Sequence, residues 1–383
     1  MNCKILSSKL NKFFKKKSKQ LHTPIFFGNE IKYLKDCIDT GYVSYVGKFV
    51  EKFEKKLSKY TKSKFTVATS SGTAGLHLVL NYLNINNKHE VLLPSYTYVA
   101  TANTIKYCGA DPHFVDIETD TLGICPKKLE NYLKSKTLKS GNKTINRITK
   151  KEIKALILVH VYGFPGKVLE IKKICKKYNI YLIEDAAEAM GSFFKKKHLG
   201  TFGDFGVLSF NGNKPITTGG GGAILTKLKK HALALRHLST HAKKNVKFDH
   251  IHDKIGFNYR MINISAAVGC AQLENLSKII SSKRKNYIFY KNFFKRYKNL
   301  KILSEPKNSK CNYWLITLIF DNKKLNEQFL KELSKKGFGI RKTWRPLHTL
   351  KIFKHCQSDT LNNSKKIFEN SLNLPSSPFL QYK

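Results

Sequence analysis

The stretch IKALILVHVYGFPGKVLEIKKICKKYNIYLIEDAA, residues 153–187, decides the fold. It opens on a strong apolar run that ends at Gly163. VLEIKKICKKY (168–178) then spaces its apolar residues with the period of a helix. NIYLIEDAA (179–187) turns apolar again and ends on two acids, Glu184 and Asp185. Near-continuous apolar runs suit strands covered on both faces, and two of them joined by a helix make a βαβ unit of a parallel sheet.

The same rhythm extends outward. FTVAT (65–69), EVLLP (90–94), DPHFVDI (111–117), FGVLSF (205–210) and GGAILT (221–226) read as further short strands. Helices are expected at 30–39, 49–60, 76–83 (LHLVLNYL) and 97–107 (TYVATANTIKY). The polar segment 134–152 interrupts this pattern and reads as a surface hairpin or loop. After about residue 240 the texture changes to one long helical pattern (263–297), a strand WLITLIF (314–320) and a helix 325–337 stopped by Gly337. The expectation is an α/β protein with a basic N-terminal extension (1–22), a large domain on a mainly parallel sheet (23–245) and a smaller α+β C-terminal domain (246–383).

Composition narrows the function classes. The chain has 383 residues, 41% of them hydrophobic, which is enough for sizeable cores and argues against wholesale disorder. Its formal charge of +44 first suggests a nucleic-acid or anionic-membrane binder. Against that, there are 7 arginines to 63 lysines, and the lysines are spread along the whole chain. Arginine is the residue that forks onto phosphates and guanine edges. Ile, Asn, Phe and Tyr are frequent too and share A/T-rich codons with Lys, so a nucleotide bias accounts for much of the charge. The eight cysteines form no C-x-x-C pair and no zinc spacing, as expected of buried thiols in a reducing, cytosolic compartment. No apolar run approaches the roughly 18 residues of a membrane span. Residues 1–20 carry seven lysines and no acid, with Leu6, Leu10, Phe13 and Phe14 on one helical face. Such a segment lies on an anionic membrane or, the favoured reading, is a solvated and frayed extension.

Three groups could carry chemistry. Ser70-Ser71-Gly72-Thr73 sits between a strand and a helix, where free backbone N–H groups bind an anion or simply cap the helix. Glu184-Asp185 ends a buried strand, and a carboxylate there needs a partner: a protonated ring nitrogen of a cofactor, a lysine or a backbone cap. SFNGNKPITTGGGG (209–222) holds Lys214 in a loop whose four consecutive glycines imply close backbone approach. It is neither a P-loop nor a dinucleotide fingerprint. The order of the three parts is informative. A phosphate cup, an acid for a pyridinium nitrogen and a Schiff-base lysine are the parts a pyridoxal phosphate enzyme requires.

With these parts in order, the sequence resembles the DegT/StrS-type sugar aminotransferases, from about Pro24 to Phe379. The blocks that carry the resemblance are GYVSYVGKFVEKFE, SSGTAGLHLVL, PSYTYVATANTI, VHVYGFPG, IEDAAEAMGS, GTFGDFGVLSFNGNKPITTGGGGAI, IGFNYRMINISAAVGCAQLE and RPLH. It implies the type I, aspartate aminotransferase-like fold and pyridoxal 5'-phosphate as cofactor. It also implies transfer of an amino group from L-glutamate to a UDP- or GDP-linked 4-keto-6-deoxy sugar of the legionaminic acid, bacillosamine or perosamine type. Carried over residue by residue, Lys214 is the Schiff-base and proton-moving lysine and Asp185 pairs with the pyridine nitrogen. Tyr98 stacks on the ring, and Glu188 lies near its phenolic oxygen. Gly72, Thr73 and Ser209 hold the phosphate. Asn258 reaches the cofactor of a neighbouring subunit, which makes an obligate homodimer. His160, Trp344 and His348 are candidates for the sugar-nucleotide side. The competing functions are a basic nucleic-acid- or membrane-surface-binding protein with a vestigial enzyme fold, and amination at C3 instead of C4.

Overall fold

The computed structural model describes residues 2–15, 19–244 and 246–380. Its main sheet has nine strands among the described residues. Seven of them run in the order Phe65–Thr69, Gly222–Thr226, Phe205–Ser209, Tyr181–Asp185, Glu152–Val159, His89–Pro94 and Asp111–Val115. Only Gly222–Thr226 pairs antiparallel to both its neighbours in this series; the pairs from Phe205–Ser209 to Asp111–Val115 are all parallel. The polar segment after residue 136 forms a hairpin, Thr137–Ser140 with Lys143–Asn146, attached beside the start of Glu152–Val159.

Helices cover both faces of the sheet, which is why His89–Pro94 and Phe205–Ser209 are buried at every position. The helix Gly72–Tyr82 packs on Phe205–Ser209 and Gly222–Thr226. The helix Lys48–Thr61 packs on Phe65–Thr69 and on the long helix Asn263–Phe294. That long helix continues to a second, antiparallel sheet with strand order Leu300–Ile302, Ile316–Phe320, Ser371–Leu374, Arg341–Lys342.

The N-terminal segment departs from expectation. Instead of fraying into solvent, Cys3–Lys12 is a helix capped by the Asn2 side chain and docked on the helix Lys323–Ser334 of the C-terminal region. Most of its apolar stripe is spent inside the protein, with Phe13 partly exposed beside Phe289 and Phe293. Leu6, Leu10 and Phe14 are buried in one core with Phe294, Phe329 and Leu333, and Phe14 packs edge-on against Phe338. This overturns the frayed reading, and with Leu6, Leu10 and Phe14 covered it leaves only Phe13 of that face, 41% exposed, for a membrane to meet. Met1 and residues 16–18 of that basic stretch lie outside the described residues. Among the described residues no helix is long and apolar enough to cross a membrane.

Candidate active site

A cavity of about 550 Å³ opens where the main sheet meets the C-terminal region. Asp185 enters it from the end of Tyr181–Asp185, and Ser209 from the end of the adjacent parallel strand Phe205–Ser209. Lys214 follows in the loop after that strand. Parallel order brings these strand ends to one edge of the sheet, the usual place for a ligand crevice.

The floor is built by close backbone approach. Ser71 caps the helix Gly72–Tyr82, its Oγ accepting from Ala74 N at 2.9 Å. A Cβ on Gly72 would lie 2.9 Å from Ser209 Cβ, and one on Gly222 would lie 2.5 Å from Gly72 N. Glycine at both positions lets the strand and the helix N-terminus converge, with Gly72, Thr73 and Ser209 on the cavity wall.

Asp185 is 6% exposed. Its Oδ2 accepts from Thr101 Oγ1 at 2.8 Å and its Oδ1 from Ala187 N at 3.2 Å. Burial raises its pKa, with these two donors pulling the other way. Among the described residues no side-chain cation forms an ion pair with it. Lys214 Nζ lies 3.1 Å from Glu188 Oε1 and 4.1 Å from the centre of the Trp314 ring. Trp314 is fixed in turn by its indole N–H, which donates to Asn213 O at 2.6 Å. Glu188 Oε2 accepts from Tyr162 N at 2.8 Å. Burial pushes the Glu188 carboxyl up to about 7, against the pull of the Lys214 ammonium and the Tyr162 N–H.

Of the residues singled out in the sequence, Gly72, Thr73, Tyr98, Asp185, Glu188, Ser209, Lys214 and Trp344 all line this cavity. Three do not. His160 is fully buried, with Nε2 at 2.8 Å from Glu184 and Nδ1 accepting from Gly166 N at 3.3 Å. It is committed to Glu184, whose carboxylate also accepts from Gly200, Phe202 and Gly203 N. Burial alone would raise the Glu184 pKa. The His160 hydrogen bond and charge and the glycine N–H groups outweigh it and hold the acid below its ordinary range. His348 Nδ1 is engaged with Ser95 Oγ at 2.6 Å, also outside the cavity. Asn258 is exposed and bridges to Thr240. Sequence reasoning missed Thr101 and Trp314. Trp314 carried a usable signal as one of only two tryptophans; the role of Thr101 depends on which strand its helix faces.

The cavity joins a lysine, a buried acid with no ion-pair partner among the described residues and a small-residue floor at a helix N-terminus, and comparison with known proteins gives this combination a family. The model of the DegT/DnrJ/EryC1/StrS aminotransferase family matches residues 26–383. The chain belongs to that family. It is 34% identical over 368 residues to GDP-perosamine synthase of Vibrio cholerae, covering 94% of each chain. It is 31% identical to the UDP-4-amino-4,6-dideoxy-N-acetyl-beta-L-altrosamine transaminase of Campylobacter jejuni strain 81-176, covering 90% of this chain and 87% of that one. Among solved structures, a DegT/DnrJ/EryC1/StrS aminotransferase from Brucella abortus superposes with a TM-score of 0.82 at 26% identity, covering 92% of this chain and 91% of that one. The Helicobacter pylori aminotransferase PseC has the same fold, with a TM-score of 0.83 at 23% identity over 92% of each chain. The chain is therefore an aminotransferase of the type I fold, and its cofactor is pyridoxal 5'-phosphate. The residues present fit that group. Asp185 is a buried acid lining the cavity with no ion-pair partner among the described residues, and Gly72, Thr73 and Ser209 line it at the start of the helix Gly72–Tyr82.

Proposed function

We propose that this aminotransferase moves the amino group of L-glutamate onto C4 of a UDP- or GDP-linked 4-keto-6-deoxy sugar, in the making of a surface polysaccharide. The observation that carries the reading is the meeting of Lys214, Asp185 and the Gly72–Thr73–Ser209 floor in one cavity. Both relatives named above are called after amino-sugar products or substrates of this kind.

In this reading Gly72, Thr73 and Ser209 hold the cofactor phosphate, Tyr98 covers the ring, and Asp185 keeps a proton on the pyridine nitrogen. The bound cofactor supplies an electron sink for the negative charge left when a C–H bond breaks. Lys214 Nζ takes the α-proton from glutamate and, in the second half of the cycle, delivers a proton to C4 of the sugar. Glu188 keeps an acceptor beside Lys214 Nζ and orients it, while Trp314 closes the other side. Trp344 stands at the sugar side of the cavity with Tyr98, their ring centres 6.3 Å apart.

The working unit in this reading is a cytoplasmic homodimer in which Asn258 serves the neighbouring subunit's cofactor. Exposed Tyr42, Val43, Tyr45 and Val46 support a covered surface next to the long helix, since one chain alone leaves this apolar run in water. All eight cysteines are free, as suits a reducing compartment.

The test is amine transfer from glutamate to a panel of UDP- and GDP-linked 3-keto and 4-keto sugars, read by mass spectrometry of the product. Borohydride should fix the cofactor to Lys214, and Lys214→Ala should abolish transfer. Transfer that survives in Lys214→Ala, or no acceptor in the panel, sinks the proposal. In the latter case, DNA binding with a steep salt dependence would favour the polyanion-binding alternative.

A further inference from the structure

Thr97 and Thr101 lie one turn apart at the start of the helix Val99–Tyr107, and each is 1% exposed. Their hydroxyl oxygens are 3.0 Å apart, and Thr101 Oγ1 lies 2.8 Å from Asp185 Oδ2. The three side chains form a buried row that ends at Asp185, on the cavity wall.

The chemistry of these groups gives the row a direction. An ionised carboxylate only accepts, and a threonine hydroxyl has a single proton to give. Thr101 therefore donates to Asp185, and the proton between the two threonines comes from Thr97. This occupies the Thr101 hydroxyl both as donor and as acceptor, so it stays aimed at the carboxylate. Ala187 N donates to the other oxygen, Oδ1, at 3.2 Å. A carboxylate has about four acceptor sites, so Asp185 keeps capacity for a further donor. Burial works against its ionised form, and the Thr101 hydrogen bond is the largest pull the other way, ahead of Ala187 N and the Lys214 charge. The same turn carries Tyr98, whose carbonyl oxygen accepts from Thr101 N at 3.2 Å.

We infer that Thr101 is the positioning residue of Asp185: with its hydroxyl oriented by Thr97, it holds the carboxylate as an acceptor for the pyridine nitrogen of the cofactor. This rests on the role of Asp185 proposed above.

The experiment uses the full chain and cofactor isotopically labelled at its ring nitrogen. Thr101→Val keeps the shape of the side chain and removes the hydroxyl. It should weaken cofactor binding to the stripped protein about tenfold, the low end for a hydrogen bond to a charged group. Nuclear magnetic resonance should show a protonated ring nitrogen in wild type and a smaller protonated fraction in Thr101→Val at the same pH. Thr101→Ser, which keeps the hydroxyl, should restore both. In an Asp185→Asn background, Thr101→Val should add less than about a twofold loss, because no carboxylate remains to hold. Unchanged affinity and nitrogen signal in Thr101→Val, with or without a lowered melting temperature, would make Thr101 a packing residue and overturn the inference. So would a tenfold loss repeated in full in the Asp185→Asn background. Asp185→Asn alone is measured first. Unchanged affinity there means that the role of Asp185 has failed, and this inference falls with it. A loss in Asp185→Asn with none in Thr101→Val overturns this inference alone.

Discussion

Replacing Leu10 by alanine tests the placement of the N-terminal helix, on which the cavity wall at residues 20–22 depends. Leu10 is fully buried in the core shared with Phe294, Phe329 and Leu333. The substitution removes three buried carbons, worth about 0.8 kcal/mol each in transfer from water, and adds the cost of the cavity left behind. The expected loss is about 3 kcal/mol. On a solvated helix the same change costs nothing, because alanine is the better helix former. Sign and size therefore separate the two arrangements. The assay is urea unfolding followed by tryptophan fluorescence, which is well placed because the chain's two tryptophans, Trp314 and Trp344, both line the cavity. Lys9→Ala, on the exposed side of the helix, is the control and should stay within about 0.5 kcal/mol of wild type. A Leu10→Ala protein within 0.5 kcal/mol of wild type, or more stable than it, would refute the docking.

Two further predictions concern the buried acids. Asp185→Asn should weaken cofactor binding by about 10- to 100-fold, the range of one charge-assisted hydrogen bond, measured by titrating cofactor into the stripped protein. Unchanged affinity would remove Asp185 from the ring nitrogen. In cofactor-free protein, Glu188 takes up its proton at about 7 instead of its ordinary 4.5. Between those pH values the folded chain binds a proton that the unfolded chain has lost, so this acid's contribution to stability is greatest below 4.5 and falls as pH rises to 7. The gap corresponds to about 3 kcal/mol. Glu188→Gln removes that slope, so urea midpoints of the variant should gain on wild type between pH 5 and pH 7.5. Parallel pH profiles would show that Glu188 ionises normally.

Particular residues show what was legible in advance. Asp185 at the end of an apolar strand, Lys214 in a loop just past another, and Gly72 at a strand-to-helix turn were all readable, because each depends on local sequence and a parallel sheet brings such ends to one edge. His160 and Glu184 illustrate the limit. Both stood near strand ends, yet the parallel register that sets Leu158 beside Glu184 and Val159 beside Asp185 places His160 just past its strand, against Glu184 and away from the cavity. One residue's difference in position separates a cavity acid from a structural one, and periodicity alone does not say which neighbour meets it.

The N-terminal helix shows the same division. Its apolar stripe at Leu6 and Leu10 was evident, whereas the surface it covers, Lys323–Ser334, lies more than 300 residues away in the chain. By itself, then, the sequence determined the alternation of strands and helices and the family blocks, and offered Lys214 and Asp185 as candidates, because local propensity and spacing are carried by short stretches. The tertiary structure alone decided which apolar face meets which. It thereby closed the cavity with Trp314 and carried residues 20–22 to its wall, because long-range packing depends on the shape and register of surfaces that no local stretch contains.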